Sequence, residues 1–141
     1  MTLRLRINVI DSPAGVTLRM QRGRDELVEP STMTKSVVTF DFDVRVGSRA
    51  GSLPNFLGEF TQGPPAARFV YVNSGRMAGQ HGTSWSRRAK IPLTGITQAQ
   101  IEKTIETNGV LVADYEGTGR DGGPTCASVR LDGDGWRIER S

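Results

Sequence analysis

Apolar and polar residues alternate from the start of the chain: Leu3, Leu5, Ile7 and Val9 are separated by Arg4, Arg6 and Asn8. A strand turns successive side chains to opposite faces, so this period of two predicts a strand with one buried and one wet face. Asp11-Ser12-Pro13-Ala14-Gly15 follows with turn chemistry: proline presets φ, aspartate bonds its own backbone and glycine tolerates φ > 0. Val16, Leu18 and Met20 resume the alternation, so this opening stretch reads as a hairpin. The polar stretch from Arg22 to Lys35 reads as irregular. The clearest strand is then Val38, Phe40, Phe42, Val44 and Val46, interleaved with Thr39, Asp41, Asp43 and Arg45.

Gly47 to Pro65 is rich in glycine and proline with Phe56, Leu57 and Phe60 among them, which predicts a long loop pinned by its aromatics. Phe69-Val70-Tyr71-Val72 is a continuous apolar run suited to a central strand covered on both faces. A second glycine-rich loop is expected from Asn73 to Ser86. It leads to Ala89-Lys90-Ile91-Pro92-Leu93, whose proline confines it to an edge or a strand end. Thr97 and Gln100 stand in capping-box spacing, with Ile96 and Ile101 placed as a hydrophobic staple. Ile101 and Ile105 share one face, and Asn108-Gly109 supplies a left-handed stop, so a helix is predicted over about 98–107. Val110 to Tyr115, Cys126 to Leu131 and Trp136 to Ile138 read as closing strands between glycine-rich turns. Short strands, one helix and no βαβ rhythm predict a β-rich fold, mainly an antiparallel β-barrel or sandwich, with one short amphipathic α-helix. Residues 1–141 read as a single globular domain.

Composition adds exclusions. Apolar residues make up 36% and charged residues 23%, which are globular values. No apolar run reaches the roughly 20 residues that cross a bilayer, and the first residues lack a signal-peptide core. One cysteine and no glycosylation acceptor give no sign of an oxidising compartment, so a soluble cytoplasmic protein is expected. The net charge is +3, yet Gly47 to Pro92 carries a net excess of five positive charges. Such asymmetry marks an anion-facing surface or a solvated basic loop.

Most motifs weigh against specialised chemistry. Gly117-Thr118-Gly119-Arg120-Asp121-Gly122 matches the dinucleotide pattern G-x-G-x-x-G, but Pro124 and a strand follow where that site needs a helix. A wide hairpin turn fits better. Asp132-Gly133-Asp134-Gly135 opens like a calcium loop, but its twelfth position falls beyond Ser141. Asp41 and Asp43 could pair as acid and base, although the wet side of a strand explains them as well. With one histidine and one cysteine a metal site is not expected, nor is any cofactor. His81 and Asp121 are the catalytic candidates, since an imidazole can act as general base and an aspartate can orient it.

The richest constellation runs from Asn55 to Lys90, which holds five of the nine aromatics interleaved with basic and amide side chains. Apolar walls with convergent polar donors describe a small-molecule pocket, and arginine suits carboxylate or phosphate because its planar fork grips two oxygens. The candidate ligand-binding residues are Arg68, Tyr71, Asn73, Arg76 and Trp85, with Arg87, Arg88 and Lys90 after them and Arg120 on the later glycine motif.

Pro54-Asn55-Phe56-Leu57-Gly58-Glu59-Phe60-Thr61-Gln62-Gly63-Pro64-Pro65, Arg68-Phe69-Val70-Tyr71-Val72, Arg87-Arg88-Ala89-Lys90-Ile91 and the run from Gly117 to Pro124 together resemble an uncharacterised family of small bacterial proteins. That family is a domain of unknown function. The resemblance extends over most of the chain and implies a bacterial, cytoplasmic single domain, with no activity to carry over. The leading expectation is a binding module for an anionic small molecule or an acidic protein surface. A small cofactor-free hydrolase or isomerase using loop residues is the second, so the question of an enzyme stays open. Single-stranded nucleic acid is the third and is disfavoured by the modest charge. No membrane partner is expected, and a homodimer is left open.

Overall fold

The alternating apolar residues of the first strand lie at the centre of a five-stranded sheet. The computed structural model describes residues 2–11, 17–22, 26–34, 36–45, 69–77, 83–93, 95–121 and 127–140. Its elements are β1 (Thr2–Ile10), β2 (Thr17–Arg22), β3 (Glu26–Val28), β4 (Thr32–Met33), β5 (Val37–Arg45), β6 (Phe69–Met77), β7 (Thr83–Pro92), α1 (Gln98–Glu106), β8 (Gly109–Asp121) and β9 (Ala127–Arg140). One sheet has the order β4-β5-β1-β8-β9 and the other β3-β2-β6-β7.

β1 runs antiparallel to β5, with Leu5 opposite Phe42 and Ile7 opposite Phe40. On its other side it runs parallel to β8, with Leu5 opposite Leu111. Both edges of β1 are therefore occupied, and no ladder is left for β2. This corrects the expected hairpin: β2 pairs with β3 and β6 in the facing sheet. The alternation located the buried face of each strand, and that face is satisfied equally well across the core as beside it. A parallel neighbour also demands a crossover, which here is everything from β2 to α1.

The two sheets enclose one core. Leu3, Leu5, Ile7, Val9, Phe40 and Leu111 contribute from the first, and Met20, Val70, Val72 and Ile91 from the second. β9 lies near β7 and β3 near β5, but among the described residues no ladder joins the sheets. The architecture is a sandwich, not a closed barrel.

Two expected loops contain strand. The stretch from Arg22 to Lys35 holds β3 and β4, and the stretch from Asn73 to Ser86 holds the end of β6 and the start of β7. A bulge between Ser74 and Gly75 takes up the irregularity there and lets the ladder continue. Pro92 ends β7, itself an edge strand, as its missing N–H requires. Tyr71 is half-buried, so the β6 run is covered fully on only one face.

The helix forms where its local signals place it. Thr97 Oγ1 accepts from the Gln100 N–H at 3.1 Å, and Gln100 Oε1 accepts from the Thr97 N–H at 3.0 Å. Asn108 adopts φ 52°, the left-handed stop. Ile96 and Ile101 join the core, with Ile105 packed against it. After the helix, β8 and β9 form one long hairpin. Gly117 to Asp121 lies on β8 opposite residues 127–131, so the first five residues of the dinucleotide-like motif sit on a strand, and Gly122 lies outside the described residues. The expected turn at Asp132 to Gly135 is likewise strand. Asp134 and Gly135 together oppose Asp114, and Gly135 takes φ 103° in this bulge. Among the described residues no helix is long and apolar enough to cross a membrane.

Candidate functional site

The second sheet buries Leu18, Met20, Val70, Val72 and Ile91 on one face. Its other face is built from the alternate residues of its strands, whose register aligns them in rows, β3 adding the exposed Leu27 opposite Gln21. Arg19, Asn73 and Arg88 form one row across β2, β6 and β7. Gln21, Tyr71 and Lys90 form the next, and Phe69 follows opposite Pro92. Beyond the bulge, Thr17, Gly75 and Trp85 align as a further row. Adjacent strands lie about 4.8 Å apart, so positions 19 and 88 flank Asn73 at a backbone separation of about 10 Å.

Asn73 is only 8% exposed on this polar face. Its Nδ2 donates to Gln21 Oε1 at 3.3 Å, which fixes one end of the amide. Lys90 is exposed, with its Nζ 4.2 Å from the centre of the Phe69 ring. That contact holds the ammonium beside the half-buried Tyr71 without neutralising it. None of these row positions carries a carboxylate. The face thus combines fixed amides, two aromatics and cationic positions.

Of the candidates named from sequence, Tyr71, Asn73, Arg88 and Lys90 share this face by register, with Trp85 beyond the bulge. Arg76 and Arg87 take the alternate positions, opposite Ser84 and Ser74. Arg120 stands on β8 opposite Ser128, in the other sheet, and Asp121 is the last residue of β8. Positions 76, 85, 87, 88, 120 and 121 are placed by backbone register alone. Arg68 and His81 lie outside the described residues. Sequence reasoning missed Arg19 and Gln21, because the signal that would have found them is the pairing of β2 with β6.

The outer face of the first sheet carries its own polar network. Asp41 accepts from Arg6 Nε and from Ser31 Oγ, both at 2.7 Å, so each carboxylate oxygen has a structural partner. Asp41 is thus held in a structural network, and Asp41 and Asp43 are both exposed on the wet side of β5. Thr39 Oγ1 donates to Asn8 Oδ1 at 2.8 Å and Asn8 Nδ2 to Asp114 Oδ1 at 2.9 Å. Arg137 Nη1 completes the chain on Asp114 Oδ2 at 2.6 Å. Burial pushes the Asp114 carboxyl up, but the hydrogen bonds from Arg137 and Asn8 and the charge of Arg137 outweigh it and hold it below its ordinary value. Among the described residues no group of three His, Cys, Asp or Glu side chains could hold a metal ion.

A family model described as "Family of unknown function (DUF5990)" matches residues 3–139 of the chain. No curated protein and no solved structure matches it.

Proposed function

The chain belongs to the DUF5990 family of unknown function, and since that membership carries no activity, we propose from geometry that it is a binding module for an anionic small molecule. The outer face of the β2-β6-β7 sheet is the binding surface. The observation that carries this reading is the row Arg19-Asn73-Arg88: a buried, oriented amide flanked by two guanidinium-bearing positions on a face whose rows hold no acid. Guanidinium groups suit carboxylate and phosphate oxygens, and an amide N–H donates to the same acceptors. Phe69 and Tyr71 offer an apolar bed beside the cations, in keeping with a ligand that has a ring or chain attached to its anionic group.

The reading is tested by thermal shift against a panel of phosphorylated and carboxylated metabolites, with Arg88→Ala and Lys90→Ala alongside the native chain. A ligand at 100 times its Kd stabilises by about 2.7 kcal/mol, enough to move the midpoint by several degrees. The expected result is a midpoint rise that is lost in both variants. A panel in which no anion shifts the native chain, or in which the variants respond as it does, overturns the proposal. An acidic protein surface as the natural partner would appear as stabilisation by a polyanionic peptide and by none of the small anions.

A further inference from the structure

Two hollows lie side by side where the end of α1 meets the outer face of the first sheet. The first, about 240 Å³, is lined by Arg4, Arg6, Asp41, Asp43 and Val110. The second, about 300 Å³, is lined by Arg4 and Asp43 again, with Thr104, Ile105, Asn108 and Gly109. Arg4 and Asp43 are register partners across β1 and β5, so one opposite-charge pair of positions stands at the boundary of both hollows. Arg6 is committed to Asp41 at 2.7 Å. Arg4 is exposed and has no hydrogen bond or ion pair among the described residues, which sets it apart on a face where Arg6 and Arg137 are both engaged.

The charges around the hollows have a definite order. Arg4 supplies a positive fork on the β1 side. Asp43 supplies a negative group on the β5 side, and the C-terminal end of α1 at Thr104 to Asn108 adds the negative end of a helix dipole. Val110, 4% exposed, lines the first hollow and the half-buried Ile105 lines the second, so each hollow has an apolar wall beside its charges. A carboxylate has four lone-pair sites, so Asp43 retains room for an added donor alongside its own partner.

We propose that these joined hollows are a site for a free α-amino acid with an apolar side chain, formed by the juxtaposition of Arg4 with Asp43 and the C-terminal end of α1. The ligand carboxylate lies on Arg4, its ammonium on Asp43 and the helix end, and its side chain on Val110 and Ile105. The site is separate from the proposed anion-binding face, which lies on the other sheet.

The test is an NMR titration of the native chain with L-leucine, following the backbone amides of Ile105, Asn108 and Val110. N-acetyl-L-leucine, which lacks the ammonium, and L-leucinamide, which lacks the carboxylate, serve as probes of each half. L-leucine is expected to give saturable shifts at these amides. Each altered ligand should bind about tenfold more weakly, as does L-leucine to Arg4→Gln, a factor that corresponds to one charge-assisted contact. Asp43→Asn should weaken L-leucine and leave N-acetyl-L-leucine unchanged. Both side chains are exposed, so the variants test the site without unfolding the sheet. No saturable shift with L-leucine overturns the proposal, as does an Arg4→Gln titration that matches the native one or equal binding of all three probes.

Discussion

Arg137 on β9 reaches Asp114 on β8 with a 2.6 Å ion pair at the one place where the two strands fall out of step. The bulge leaves Asp114 opposed by two residues, and the side-chain network takes over there from the backbone ladder. Asn8 on β1 holds the other carboxylate oxygen. The three strands are thereby tied across their wet face at their irregular point.

The Asp114 ties carry a pH signature. A carboxyl whose folded pKa lies below its unfolded value contributes stability above that unfolded value, here about 3.8, and loses it as pH falls through the folded pKa. Asp114→Asn is therefore expected to lower the melting temperature at neutral pH and to flatten its decline below about pH 4. Both partners are more than a third exposed, which limits the effect to about 1 kcal/mol or less. Melting curves recorded from acid to neutral pH check this, and parallel profiles for the two proteins would sink it.

At the alkaline end the group to watch is Tyr115, whose hydroxyl burial pushes above its ordinary value of 10.0. A raised folded pKa means full stability below the unfolded value and loss as pH climbs through the folded one. The native chain should weaken above about pH 10, and Tyr115→Phe should show a shallower decline there. Denaturant midpoints measured on both sides of that pH decide the matter.

Gln100 invites a counterintuitive result. Glutamate at the third helical position normally suits a capping box and the helix dipole. Here Gln100 Nε2 also donates to the Trp136 carbonyl at 2.8 Å, tying α1 to β9. Gln100→Glu keeps the acceptor for Thr97 but sets a carboxylate against that carbonyl. It should destabilise by about 1 kcal/mol or more, comparable to Thr97→Ala. A variant as stable as the native chain in urea unfolding would show that the tie contributes nothing.

Three glycines separate two causes of intolerance. At Gly109 a Cβ would stand 2.7 Å from the Glu139 carbonyl oxygen, whereas at Gly135 it would meet nothing within 4 Å but would have to adopt φ 103°. At Gly95 neither obstacle exists. Alanine should cost about 1 kcal/mol or more at 135 from conformation alone, more at 109 because backbone must move, and nothing at 95. Unfolding free energies for the three variants should fall in that order, and equal values would refute it.

The legible parts of this fold were the local ones. The capping box spans four residues, and Thr97, Gln100 and Asn108 announce the helix within a few positions of one another. Strand faces were legible for the same reason, since Leu3 to Val9 need only their own alternation. Partners were not: nothing in the first twenty residues says that Leu5 adjoins Leu111 or that Arg19 adjoins Asn73. The strands under Tyr71 and Lys90 were legible, but the stretch between them was anticipated as a glycine-rich loop, whereas Asn73, Arg76 and Trp85 stand on β6 and β7. Ladder pairing tolerates Gly75 through a bulge, a tertiary accommodation that a glycine count cannot foresee.

The parallel seam between β1 and β8 also has a bearing on synthesis. Asn8 and Asp114 are 106 residues apart. As the chain leaves the ribosome, β1 can find β5 early, while its other edge waits until most of the polypeptide exists. Closing a loop of that length adds entropy cost only slowly with length, but it makes the first sheet's completion a late and slow event. The nascent chain therefore spends its growth with an open β1 edge, and fast vectorial production should favour aggregation through that strand.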